Sequence, residues 1–488
     1  MFPKPLHLSI LIALGIAWAG GERVRAAAQS RPGDAVELVR EGDEIVLRGG
    51  PRPAPQVGRR LVLRYRDRAV PFKPYVKELF TPGGVNVVVD SPADHVHHHG
   101  LMLAVGADEI DFWGEEPADA VGREITVSTE PLTEEGAVGF RSRIEWQAPD
   151  GSAILRERRS VVWRHNEGKE PTYLIWRSEI TPAPGQDDVN LWGRHYFGLG
   201  MRFVESMSEA TTFLHADGVE GRIYRGDERL TPGRWCAAQG TAEGKPVTIA
   251  MFDHPLNPRY PATWFIMNVP FAYLSATANL EAQPRLLGRG EIIHLRYGIA
   301  VWDGHIAPDE IETAYDRFLA SENLLRDHVN VARSEHGTTV HASSEYGADY
   351  EGGKAIDGRY LKRETDKWNS AANVTPHYLR LDLGQPRLID VIVLRHEGAL
   401  PVLDGHSYNT ADFRLQHSGR PWGPWIDLVR PVRNNTDNVT IHVFEPTETR
   451  YVRLLIETGE QNGSNTYGRI AEFEVYSPDS KVQTEVIE

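Results

Sequence analysis

Between about Glu37 and Tyr297 apolar and polar positions alternate, or run apolar, in short stretches. Examples are Val36-Glu37-Leu38-Val39-Arg40, Glu44-Ile45-Val46-Leu47-Arg48, Arg60-Leu61-Val62-Leu63-Arg64-Tyr65 and Val161-Val162-Trp163-Arg164. A two-residue period places side chains on alternate faces of a strand, and the Gly, Pro, Asp and Asn between the runs mark turns. The pattern predicts an all-β unit, a large two-sheet sandwich, closed by a central strand at Ile292–Trp302. The period then changes. Ile311, Ala314, Tyr315, Phe318 and Leu319 fall on one stripe of a helix over Pro308–Leu325. Pro308 suits a first helical turn, with Asp309 and Glu310 at its positive end.

A second β unit follows. Its predicted strands are Tyr378–Leu383, Leu388–Leu394, Asp412–Gln416, Thr440–Phe444 and Tyr451–Ile456. The expected division is a signal peptide over residues 1–28, a β-sandwich domain over 29–306, a linker helix over 307–330, a second sandwich over 331–477 and a tail over 478–488. The signal reading rests on Lys4, the apolar run Leu8–Ala19 and the A-x-A-type site Ala26-Ala27-Ala28, with cleavage expected after Ala28. With the single cysteine, Cys236, giving no intrachain disulfide, the expected location is a bacterial periplasm or the medium. No other run is long enough for a membrane span.

The net charge of −15 argues against nucleic acid and anionic membrane as main partners. Twelve Trp and 17 Tyr in a Gly- and Pro-rich chain suit carbohydrate handling, since sugars stack on flat rings, though such residues also fill β cores.

Three clusters carry candidate chemistry. Asp94-His95-Val96-His97-His98-His99-Gly100, followed by Asp111-Phe112-Trp113-Gly114-Glu115-Glu116, places four imidazoles in five positions. Imidazole moves protons near neutral pH and is the commonest metal ligand. As an extended run it would aim His95, His97 and His99 one way and His98 the other. The others are Arg194-His195-Tyr196 and Asp253-His254 with Asn257 and Arg259. We expect a shared cleft in which His195 or His254 carries the proton and Asp253 orients it. His95, His97, His99, Tyr196, Arg259 and Trp113 would contact substrate, and the histidine run would be a possible metal site. Local turns held by Asp253, and Arg259 as a structural ion-pair partner, are the competing readings.

The second unit, about Val331–Tyr476, resembles the discoidin family (coagulation factor V/VIII type C domains). Lys354-Ala355-Ile356-Asp357-Gly358, Thr365, Trp368-Asn369-Ser370, Leu381-Asp382-Leu383-Gly384, Thr410-Ala411-Asp412-Phe413, Arg450-Tyr451-Val452-Arg453 and Gly468–Tyr476 carry the likeness. It implies a jelly-roll sandwich that binds glycans or other surface ligands. It also implies a structural Ca²⁺ held through Lys354, Asp357, Thr365 and Glu472. Trp422, Trp425, Tyr408 and Tyr467 read as exposed aromatics, and Trp368 as core.

The first unit, about Arg60–Gly304, resembles the PmoA-like family. Lys73-Pro74-Tyr75, Thr81–Val85, the histidine run, Asp111–Gly114, His195–Gly200 with Arg202, and Phe252–Pro255 with Asn257 and Arg259 carry this likeness. Where many members have His-His-Arg-Gly, this chain has His98-His99-Gly100. The pattern is also similar to the supersandwich of galactose mutarotase-like proteins. Taken together, the expected function is an exported carbohydrate-active enzyme of hydrolase or lyase type with a glycan-binding appendage. A non-catalytic carbohydrate-binding or scaffolding protein and a metal-dependent oxygenase are the alternatives.

Overall fold

A computed structural model describes residues 36–49 and 60–478, apart from residues 71, 135, 165–170, 217, 219, 220, 324, 326, 327 and 401–407. The expected signal peptide and all but the first residue of the expected tail lie outside the described residues. The chain is all-β, as its alternation requires. Ten antiparallel strands form the first sheet. From one edge they are Glu37–Glu41, Glu44–Gly49, Arg60–Arg66, Tyr75–Leu79, Leu101–Ala104, Gly198–Arg202, Tyr273–Thr277, Thr263–Met267, Glu228–Pro232 and Arg222–Arg225. Eight form the second: Thr212–His215, Trp235–Ala242, Lys245–Asp253, Ile293–Asp303, Thr172–Pro182, Ala153–Arg164, Ala137–Gln147 and Arg123–Glu134.

The two sheets enclose one core. Alternation along Thr172–Pro182 shows how: Leu174 and Trp176 point into it, while Tyr173 and Ile175 point outward beneath the helix. That helix, Pro308–Ser321, begins at its proline as expected and buries Ile311, Ala314, Tyr315 and Phe318. It packs on the outer face of the eight-stranded sheet against Phe252, Ala300 and Trp302. It therefore belongs to the first domain and is not a linker. Among the described residues no helix is long and apolar enough to cross a membrane.

The second domain is built on a seven-stranded antiparallel sheet with its own core, including Trp368, Leu379, Leu381, Phe413 and Leu454. Two expected strand pairs are single long strands here, His377–Arg395 and Val439–Thr458. The Gly384–Pro386 segment shifts their register between Asp382 and Arg387 without ending the strand. Such an irregularity looks like a boundary in sequence but is absorbed by the ladder.

The domains are joined by more than the chain. Leu256 packs with Val391, Val393, Ala399 and Val439. Arg395 Nη1 donates to the Pro255 carbonyl at 2.8 Å, and the Asn438 N–H donates to the Pro258 carbonyl at 2.7 Å.

Candidate functional site

The histidine run is not extended. The His95 N–H donates to the Pro92 carbonyl and the His98 N–H to the His95 carbonyl, two successive turns. A turn brings residues three apart together, whereas a strand pairs residues two apart. The grouping therefore differs from the expected one. His95 stacks on His98 at 4.7 Å, His97 meets His98 edge-on at 4.7 Å, and His99 points elsewhere.

His99 is held at both ring nitrogens. Nδ1 lies 2.8 Å from Asp90 Oδ1 and Nε2 lies 2.9 Å from Glu115 Oε1. Its ring stacks on Tyr75 at 4.1 Å, and the Tyr75 hydroxyl donates to Asp90 Oδ2. Lys73 Nζ donates to Glu115 Oε1 at 2.8 Å and to the Trp113 carbonyl at 2.9 Å. Burial alone would lower the His99 pKa, but the hydrogen bonds to Asp90 and Glu115 outweigh it and raise it. With both nitrogens engaged, His99 pins the Trp113 loop to the sheet and is not a substrate contact. His98 is the opposite case. Burial, with His97, His95 and Arg202 beside it, drives its pKa to about 2, so its ring is neutral. Among the described residues no group of three or more His, Cys, Asp or Glu is arranged to hold a metal ion.

Beyond His98 lies the outer face of the ten-stranded sheet. Cross-strand register sets Met102, Gly200, Ser275, Phe265 and Leu230 in one row, with Arg202, Tyr273 and Met267 in the next. Trp113 is fixed over this floor because Asp111 Oδ1 accepts from the Trp113 and Gly114 N–H groups. Its indole stacks on Phe197 at 5.1 Å and meets Tyr196 edge-on at 5.5 Å. His195 follows, edge-on to Tyr196 at 4.9 Å and stacked on the exposed ring of Tyr224 at 3.9 Å. A continuous line of rings thus runs from His97 through His98, Tyr273, Trp113 and Tyr196 to His195.

Polar atoms on this line lack partners. Trp113 Nε1, the Tyr273 hydroxyl, Ser275 Oγ, both ring nitrogens of His195 and Glu228 Oε2 are buried without a hydrogen bond. Glu228 Oε2 stands 3.3 Å from His195 Nε2 and Glu281 Oε1 stands 3.7 Å from Nδ1, close enough to attract but not aligned to bond. Each unpaired buried group costs about 1–3 kcal/mol, and a run of them among aromatic rings is the arrangement a hydroxyl-rich ligand satisfies. A cavity of about 520 Å³ lies elsewhere and shares no residue with this line; Phe213, His215, Asp227 and Asn268 help to line it.

The third expected cluster is not part of this face. Asp253 ends a strand of the eight-stranded sheet; its Oδ1 accepts from Asn257 Nδ2 at 2.6 Å and its Oδ2 from the Ala262 N–H at 2.7 Å. Burial pushes its pKa up to about 7. His254 Nδ1 accepts from the Leu256 N–H, its ring abuts Phe318 at 5.6 Å, and burial with Arg296 and Arg395 nearby lowers its pKa to about 3. Arg259 reaches the second domain, with Nε 3.2 Å from Asp437 and Nη2 donating to Thr436 Oγ1. Asp253 and His254 shape the turn that docks the domains, and Arg259 bridges them. The structure therefore separates these three from His97 and His195.

Three of the four expected Ca²⁺ ligands have partners within the protein. Thr365 donates to Asp366, and Asp357 Oδ1 accepts from the Arg359 N–H. The buried Glu472 carboxylate accepts from the Gly358 N–H. Arg333 Nη1 stands 3.5 Å from Glu472, so close over Gly358 that a Cβ there would strike it at 1.6 Å. A guanidinium thus stands beside the Glu472 carboxylate and over Gly358.

Tyr273, Ser275, Glu228, Glu281 and Tyr224 were not expected. Each sits in an unremarkable stretch of sequence; cross-strand register sets Tyr273, Ser275 and Glu228 on this face, and a turn beyond the strand Tyr273–Thr277 carries Glu281 to His195.

Residues 54–316 match a family of unknown function, DUF6807, and residues 339–473 match the F5/8 type C domain. The first match carries no PmoA-like description. No curated protein matches the chain. Among solved structures, a family 32 carbohydrate-binding module from Streptococcus pneumoniae EndoD is 25% identical, covers 30% of this chain and 99% of its own, with a TM-score of 0.25. Chitosan-binding module 1 of a chitosanase/glucanase from Paenibacillus sp. IK-5 is 24% identical over 30% of this chain and 99% of its own, with a TM-score of 0.24. The family 32 module of C. perfringens NanJ, in complex with galactose, is 19% identical over 31% and 99%, with a TM-score of 0.25.

Proposed function

The chain belongs to the family of unknown function DUF6807, and from that premise we propose that it is an exported carbohydrate-active enzyme whose site is the outer face of the ten-stranded sheet. The observation that carries this reading is the line of unpartnered polar atoms among stacked rings. Tyr196, His195 and Tyr224, the partly exposed end of the line, would receive the C–H faces of a sugar, with the unpartnered Trp113 Nε1, Tyr273 hydroxyl and Ser275 Oγ buried behind them. His195 is the proton carrier. Its two nitrogens each face a carboxylate, Glu228 and Glu281. Both carboxylates address one imidazole instead of facing each other across a gap, as paired acid and base do in glycoside hydrolysis. That arrangement favours proton abstraction from a sugar carbon, a lyase-type step, with His195 as base and its carboxylates stabilising the imidazolium. The F5/8 type C domain would hold the polymer nearby and raise its local concentration.

The test is incubation of the mature full-length protein with a panel of plant and algal polysaccharides. New reducing ends and unsaturated products would be measured for wild type and His195→Ala. Products from wild type and none from His195→Ala support the reading. Binding without products from either leaves a non-catalytic glycan-binding protein.

A further inference from the structure

The outer face of the second domain carries one cross-strand row over five strands: His341, Arg380, Arg453, Gln416 and Asp427. Arg380 and Arg453 stand directly opposite each other, and like charges in that position destabilise a sheet. Neighbouring arginines of the domain have their counter-charges. Arg414 pairs with Asp427 and Glu457, and Arg450 with Asp382. Arg380 and Arg453 bond instead to neutral oxygens, Arg380 Nη1 to the Pro421 carbonyl and Arg453 Nε to Gln416 Oε1. Each lies under an indole, Arg380 4.6 Å from the Trp422 ring and Arg453 4.3 Å from Trp425. Trp422 is 77% exposed, the joint highest exposure among the large apolar side chains described. Beside them His341 and Tyr378 stack in parallel, 5.8 Å apart at 5°.

We propose that this face binds an acidic polysaccharide, with sugar carboxylate or sulfate groups on Arg380 and Arg453 and a sugar ring on the open face of Trp422. The assignment rests on the glycan-binding reading of the second domain and names its site and its ligand class. Two guanidiniums without carboxylate partners match the bidentate oxygens of carboxylate and sulfate. A flat exposed indole beside them matches a sugar ring better than a bare anion. The protein carries a net charge of −15, so the bulk of its surface repels polyanions and any retention must come from a local basic site.

Affinity electrophoresis of the full chain tests this, in native gels containing polygalacturonate, carrageenan, fully methyl-esterified polygalacturonate or dextran. Flotation with phosphatidylserine vesicles is run alongside. Retardation by polygalacturonate or carrageenan is expected, weakened at least tenfold in Arg380→Gln/Arg453→Gln and several-fold in Trp422→Ala. Arg359→Gln, a surface change elsewhere on the domain, should behave as wild type. Equal retardation by the neutral polymers, insensitive to the double substitution, overturns the assignment and leaves glycan binding standing. Retardation by none of the polymers sinks both. Vesicle binding lost in the double variant, without polysaccharide binding, reassigns the face to lipid headgroups and overturns the proposal.

Discussion

Arg285 and Asp437 meet 2.7 Å apart across the junction of the two domains, and Arg259 approaches the same carboxylate from 3.2 Å. Burial alone would raise the Asp437 pKa, but the two guanidiniums outweigh it and hold it below the ordinary value. Asp437 is therefore shared by two buried cations, of which Arg285 also has Glu291 at 2.7 Å. Removing it in Asp437→Ala leaves Arg259 without a carboxylate and Arg285 with Glu291 alone, at a cost of about 3–5 kcal/mol to the docked state. Calorimetry of wild type should show one cooperative transition, and of the variant two separated ones. A single unshifted transition would show that the apolar contact at Leu256 suffices.

Asp253 makes stability depend on pH in a direction set by its burial. Its folded-state pKa of about 7 lies above the ordinary 3.8, so the folded protein keeps a proton that the unfolded chain has lost. Its contribution is complete below the unfolded value and declines as pH rises toward the folded one, by about 1.4 kcal/mol per pH unit. Urea midpoints measured at pH 5 and pH 7 should converge in Asp253→Asn, relative to wild type. An unchanged difference assigns the pH dependence to other groups.

Tyr273→Phe should move stability and affinity in opposite directions. The hydroxyl has no partner in the free protein, so its loss should raise stability by about 1 kcal/mol. If it meets a sugar hydroxyl, glycan affinity should fall about tenfold, or roughly 1.4 kcal/mol. Thermal melts and titration with an active polysaccharide check both. A loss of stability would mean that the hydroxyl is satisfied by water.

Arg333 predicts the response of the second domain to chelator. With a guanidinium beside buried Glu472, EDTA should leave the wild-type melting temperature unchanged, while Arg333→Ala should lower it. A fall on EDTA addition would mean that an ion balances that charge.

The sandwich was legible because burial on one face leaves a two-residue period, as in Phe140 to Trp146, where Arg141, Arg143 and Glu145 alternate with buried residues. The helix was legible because its stripe and Pro308 agree. The histidine run misled because four imidazoles in five positions carry no period: the turns at Pro92 and His95 are set by backbone hydrogen bonds, and these exchanged His98 for His99. Asp253, His254 and Arg259 looked catalytic for a sound reason, since polar groups there are costly to bury. Sequence marks that cost but not the partner that meets it, and Arg259's partner, Asp437, lies 178 residues away. The floor of the site was invisible for a related reason. Gly200, Ser275 and Phe265 become neighbours only through register.

Gly200 lies at the centre of that floor, where a single methyl would come within 1.9 Å of the Tyr273 hydroxyl and 3.1 Å of the Trp113 ring. The space a side chain would take there is already filled by the tyrosine oxygen and the indole. Other positions around the rings can be enlarged or trimmed by degrees, altering which ligand fits. Position 200 offers no such gradation: alanine, the smallest change available, already displaces the tyrosine. Diversification of this face must therefore proceed around its rim, through residues such as Tyr224 and His97, while its base stays as it is.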